Sequence, residues 1–142
     1  MDKENVAGVP LRLPTDSELE FFKTRLDVGG YAADDNSVVL NPFANLTEQQ
    51  KQAVSLNEAA RIYMRTNPQL SPNFSLSDQQ TQRLSTTDYA KATQHDRRAT
   101  IAARLLTNDP SGGEATDEQR RFVEVLREAM GLNQRTLIMK GR

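Results

Sequence analysis

The chain has 142 residues, with 18 Lys plus Arg against 19 Asp plus Glu, a single His and no Cys. That length lets one domain bury a core without disulfide or metal staples, and the near-balance of charge offers no bulk attraction to nucleic acid. A sequence without cysteine excludes disulfides, thiolate nucleophiles, iron-sulfur clusters and Cys-type zinc sites, while 37% hydrophobic and 26% charged residues describe a polar globular chain that falls short of the composition of disorder.

Residues 1 to 14 carry Gly8, Pro10 and Pro14 among Val9, Leu11 and Leu13, a pattern that predicts an extended, non-helical arm. The stretch "MDKENVAGVPLRLP" has neither the basic start nor the apolar core of a signal peptide. Thr15 with Glu18 forms a capping box that opens a helix with Leu19, Phe22 and Leu26 at helical spacing, stopped by Gly29 and Gly30. "YAADDNSVVLNP" sets two short extended runs, Tyr31 to Ala33 and Val38 to Leu40, around polar turn residues and predicts a hairpin. Thr47 with Gln50 caps a long helix that ends near Thr66, ahead of Asn67-Pro68. Ser77 caps a short helix over Asp78 to Leu84, Thr93 caps "QHDRRATIAARLL", "TNDPSGGEA" reads as a linker, and Thr116 with Gln119 caps a last helix closed by Gly131. The run Leu137-Ile138-Met139 is either a short strand added to the hairpin or an apolar tail that docks on a partner.

The predicted fold is therefore mainly α: four or five helices with a small β-hairpin in a single compact domain. Its parts are an extended N-terminal arm (1–14), a helical domain (15–132) with the hairpin at 31–41, and a C-terminal tail (133–142). No run approaches the roughly 20 apolar residues of a membrane helix, so no membrane partner is expected; the balanced charge gives the same expectation for nucleic acid, and a cytoplasmic location is expected.

Along the long helix, Ala53, Leu56, Ala60, Tyr63 and Met64 gather on one face at 100° per residue and predict the buried side, with Glu58 turned toward solvent. Asn57-Glu58-Ala59-Ala60-Arg61 resembles the helix of a zinc metallopeptidase with both ligand positions replaced, and the strand and turn of "SVVLNPF" before it are similar to the strand-then-helix layout of zincin-like domains. A guanidinium that never deprotonates does not ligate a cation, so zinc hydrolysis by this helix is excluded. Asn57, Glu58 and Arg61 then have two readings: a polar rim bonded to neighbouring loops, or the lining of a small pocket in which Arg61 grips a carboxylate or phosphate.

His95 is the single imidazole, at the start of its helix, and Asp96 in the adjacent helical position does not orient it; without G-x-S-x-G it reads as non-catalytic. Asp34 and Asp35 read as turn residues, "DPSGGEAT" lacks the Lys-Ser/Thr ending of a phosphate loop, and the arginines of the last two helices interleave with acids as solvated faces do. No catalytic residue, no metal ligand set and no cofactor follows from these motifs.

"VVLNPFANLTEQQKQAVSLNEAARIYMR", "FSLSDQQ" and "TIAARLLTNDPSGGEATDEQ" together resemble a group of small uncharacterised proteins of bacteriophages and phage-related bacterial regions, across residues 15 to 125. The resemblance implies a virion-associated or host-interacting part, located in the virion or the host cytoplasm, and carries no catalytic residues. The reading is a non-catalytic structural or interaction protein whose partner is another protein, by self-association or with a phage structural protein. Partner contacts are assigned to Leu11, Leu13, Leu137, Ile138 and Met139, because these apolar residues lie in segments without capping or periodicity. The alternative is a small hydrolase or anionic-ligand-binding domain of degenerate zincin-like ancestry, without metal, using Asn57, Glu58 and Arg61.

Overall fold

A computed structural model describes residues 4–84 and 94–132. Its elements in chain order are β1 (Glu4–Val6), β2 (Val9–Arg12), α1 (Asp16–Thr24), β3 (Gly30–Ala32), β4 (Val38–Leu40), α2 (Glu48–Thr66), α3 (Asp78–Leu84), α4 (Gln94–Leu106) and α5 (Asp117–Ala129), with 3-10 turns at Pro68–Leu70 and Pro110–Gly112. The described residues are mainly helical with one small sheet, and no described helix is long and apolar enough to cross a membrane. The chain divides into two compact units, Met1–Ile62 and Tyr63–Arg142, with the boundary inside α2.

The first unit holds a four-stranded sheet in the order β1-β2-β4-β3. The hairpin expected at 31–41 is present as β3 and β4, antiparallel with Tyr31 opposite Val39. Its turn is closed by Ala33 N–H to Ser37 O at 2.8 Å and Asn36 N–H to Ala33 O at 3.0 Å, with Asn36 at φ 64°, a conformation that asparagine tolerates better than most residues. The arm expected over 1–14 is instead a second hairpin: β1 and β2 pair antiparallel through a two-residue turn at Ala7-Gly8, and β2 joins β4 in parallel, Leu11 opposite Val38. Pro10 conceals this in the sequence. It is compatible with a ladder because it sits in a short strand whose neighbour on one side begins only at the Leu11 pairing.

Phe22, Ala33 and Val39 form the buried core on one face of this sheet, with Val28 and Tyr31 packed against it and the Phe22 and Tyr31 rings edge to face at 5.9 Å. Helix α1 stops at Thr24, so Leu26 lies outside it and is 60% exposed instead of continuing the apolar stripe. The cause lies far along the chain. The buried Asn41 side chain donates through Nδ2 to the carbonyls of Val28 at 2.8 Å, Arg25 at 3.2 Å and Phe22 at 3.4 Å, taking acceptors that a longer helix would use. Gly29 and Gly30, expected to stop α1, lie beyond its end and serve packing instead: a Cβ on Gly30 would stand 2.7 Å from Val39 O and 3.1 Å from Val54 Cγ1, so α2 rests on bare backbone there.

The second unit contains α3, α4 and α5, with Phe74, Leu84, Ile101, Leu106 and Leu126 almost wholly buried and the Phe74 and Phe122 rings edge to face at 5.4 Å. The stretch expected as a plain linker after α4 is ordered by Pro110–Gly112, where Asp109 N–H donates to Arg104 O at 2.8 Å and Gly112 N–H to Asp109 O at 2.9 Å. Two capping boxes meet inside this unit. Ser77 caps α3 with Gln80, and Thr116 caps α5 with Gln119. The two glutamine amides, both fully buried, exchange a reciprocal pair of hydrogen bonds at 2.8 Å. Each also donates to a carbonyl, Gln80 to Gly112 at 3.1 Å and Gln119 to Ser75 at 2.8 Å, so the buried amides are saturated. Residues 137–139, read from sequence as a strand or docking tail, lie outside the described residues; the place beside Val38–Leu40 is filled on both sides by β2 and β3.

Candidate functional site

Helix α2 brings Asn57, Glu58 and Arg61 together as the i, i+3 and i+4 spacing requires. Arg61 Nε donates to Asn57 Oδ1 at 3.3 Å and stands 3.6 Å from Glu58 Oε1. The Glu58 side chain is only 15% exposed and that of Arg61 19%, so the expectation of a solvent-directed Glu58 is corrected. The buried face expected on α2 is likewise shifted. Ala60 and Met64 are buried as expected, but Ala53 is exposed, Leu56 and Tyr63 are half-buried, and Ser55, Ala59 and Ile62 are buried instead. From Val54 to Met64 no residue is exposed, a helix covered on all sides, which a single-face pattern of periodicity does not represent. Glu58 takes up part of the Arg61 charge from within the same helix, which lowers the attraction of that guanidinium for an outside anion.

A polar cluster not legible in the sequence lies in the first unit, where β2, α1 and the β3–β4 hairpin meet. Arg12 Nη1 and Nη2 donate to the two carboxylate oxygens of Glu18 at 2.8 and 2.9 Å, and Arg12 Nε donates to Asp35 Oδ2 at 3.0 Å. Glu18 also accepts from the Tyr31 hydroxyl and from Thr15 N–H at 2.8 Å, so one carboxylate completes the capping box of α1 and ties it to two strands. The Arg12 guanidinium holds the Glu18 carboxyl far below the usual carboxylate range, helped by the donors Tyr31 and Thr15. Desolvation, together with the negative Glu18 beside it, raises the Tyr31 phenol to about 12. Asp35 accepts Ser37 N–H at 3.1 Å as the turn role expected for it predicts. These groups saturate one another. The cluster is a clasp, suited to holding the edges of the unit and not to moving protons at neutral pH.

The same unit exposes several large apolar side chains. Leu13 is 86% exposed at the end of β2, and Phe21, Leu26 and Phe43 are also large exposed hydrophobics of the same unit. Of the residues assigned to partner contacts from the sequence, Leu13 is thus open to solvent, Leu11 is half-buried within β2, and Leu137, Ile138 and Met139 lie outside the described residues. His95 falls in α4 as expected, and its side chain is outside the described ones. Among the described residues no three His, Asp or Glu side chains gather as a metal site would require.

The second unit carries a cleft of about 540 Å³. One wall is a stripe of α5, Arg120, Val123, Glu124 and Arg127, at the i, i+3, i+4, i+7 spacing of a single helix face; the other is Leu105 with the turn from Asn108 to Ala115. No family model, no curated protein and no solved structure matches the chain.

Proposed function

We propose that this chain is a non-catalytic protein-interaction protein, a phage-encoded part of the virion or of a host contact, that binds another protein through the first unit. The observation that carries this reading is the exposure of Leu13, Phe21, Leu26 and Phe43 within about thirty residues of one small unit, whose polar clasp has its donors and acceptors spent on each other. Apolar side chains of this size return about 25 cal/mol per Å² when a partner covers them, and a unit whose elements are already tied together by the clasp has less to order on association. Leu13 is the centre of the proposed contact and Leu11 supports it from within β2.

The test replaces exposed side chains only, so that the fold is retained. Leu13→Asp combined with Leu26→Asp, checked by circular dichroism, is expected to abolish self-association in analytical ultracentrifugation or co-sedimentation of the chain with virion particles. Association undiminished in the double variant would remove the surface proposed here.

A further inference from the structure

The cleft of the second unit has features of a preformed ligand site. Its turn is fixed before any ligand arrives: Arg104 Nη1 donates to Ser111 O at 3.3 Å, Asp109 Oδ1 accepts Ser111 N–H at 3.0 Å, and Asn108 and Gly113 hold φ of 60° and 76° that carry the backbone around the cleft. A Cβ on Gly112 would stand 3.1 Å from Arg104 Cβ, so the turn is seated directly on α4. The bond from Ser111 uses one carboxylate oxygen of Asp109 and leaves Oδ2 facing no described donor. Across the cleft, Arg127 is half-buried on α5; its carbonyl accepts Leu132 N–H at 2.9 Å, while its guanidinium has no hydrogen bond or ion pair among the described residues. Arg120 differs: its guanidinium donates to Ala115 O at 2.8 Å and to Asp117, and is spent. Between the two open charges the lining is apolar, from Leu105, Pro110 and Val123.

We propose that this cleft binds a small zwitterion with an aliphatic body, a free amino acid or dipeptide of the leucine type. Its carboxylate pairs with Arg127, its ammonium with Asp109, and its side chain lies on Leu105 and Val123. A simple anion would meet the carboxylates of Asp109 and Glu124 in the same cleft, and a simple cation would meet Arg127, so one charge of either sign is a poorer complement than both together. The volume suits a ligand of this size, and an apolar lining with a few converging polar groups is the usual make-up of such sites.

The probes are L-leucine and L-leucyl-L-leucine, titrated into the full chain and followed by amide chemical shifts. 4-Methylpentanoate and isoamylamine serve as the single-charge halves. Shifts confined to residues 105–127 are expected for the zwitterions, with the halves binding about tenfold more weakly or worse, the value of one charge-assisted hydrogen bond. Arg127→Gln and Asp109→Asn, both of which keep the local backbone, are each expected to weaken the dipeptide by about tenfold. 4-Methylpentanoate binding as tightly as leucine, shifts spread over the whole chain, or an Arg127→Gln variant that binds the dipeptide unchanged would each overturn the proposal.

Discussion

Gln119→Ala should be among the most damaging single changes to this chain, although glutamine at the third position of a capped helix is ordinarily a minor contributor. Its amide donates to Ser75 O and Gln80 Oε1 at 2.8 Å and accepts from Gln80 Nε2 at 2.8 Å and Thr116 N–H at 3.1 Å. Each buried bond whose partner is left unsatisfied costs about 1 kcal/mol or more, and the emptied volume adds roughly 1 kcal/mol, so a loss of about 3 to 5 kcal/mol is expected. Gln50 makes the same capping bond to Thr47 N–H at 2.8 Å, but on an exposed turn where water replaces it, and Gln50→Ala should cost only about 0.5 kcal/mol. Urea unfolding followed by circular dichroism measures both, with hydrogen exchange of α5 amides localising the loss. Because the reciprocal bonds are counted in each single variant, Gln80→Ala with Gln119→Ala should fall short of the summed losses by about 1 to 2 kcal/mol. A Gln119→Ala loss within about 1 kcal/mol of the Gln50→Ala loss, or strict additivity in the double variant, would show that the amide pair does not join the two helix starts.

Ala7 sits at φ 52° in the tight turn between paired Val6 and Val9, a conformation that asparagine tolerates better, so Ala7→Asn should stabilise by about 0.5 to 1 kcal/mol and raise the thermal midpoint; an unchanged or lowered midpoint would refute the turn assignment. The Glu18 carboxyl is depressed in the folded state from its ordinary 4.5, so its contribution is present above pH 4.5 and is lost as the pH falls below that value; the stability gap between the parent chain and Glu18→Gln should therefore narrow on acidification, and a gap independent of pH would contradict the clasp. Tyr31 shifts the other way, from its ordinary 10.0 up to about 12, and its contribution is complete below pH 10 and lost as the pH rises through 12. Absorbance at the tyrosinate band should show a late-titrating component that Tyr31→Phe removes.

The sequence by itself determined most helix starts and stops, because these depend on contacts within four residues. Thr15, Thr47 and Thr116 announce their caps by a partner three positions on, and Asn67-Pro68 and Gly131 mark ends through local backbone restriction. The β3–β4 hairpin was legible for the same reason, its turn residues lying between its strands. What lay beyond sequence reading depends on partners far along the chain. Asn41 takes the carbonyls that follow α1 from thirteen or more residues away, and the arm becomes a hairpin because β4 offers β2 a free edge. The face of α2 is not legible because no residue from Val54 to Met64 is exposed and there is no single apolar stripe to find; periodicity points Glu58 to solvent, yet the fold encloses most of it. Glu18 is legible only as a capping partner and Asp35 only as a turn residue, and nothing local links either to Arg12 or Tyr31. Only the parallel pairing of β2 with β4, which sets the hairpin turn beside the start of α1, makes four separate polar residues into one clasp.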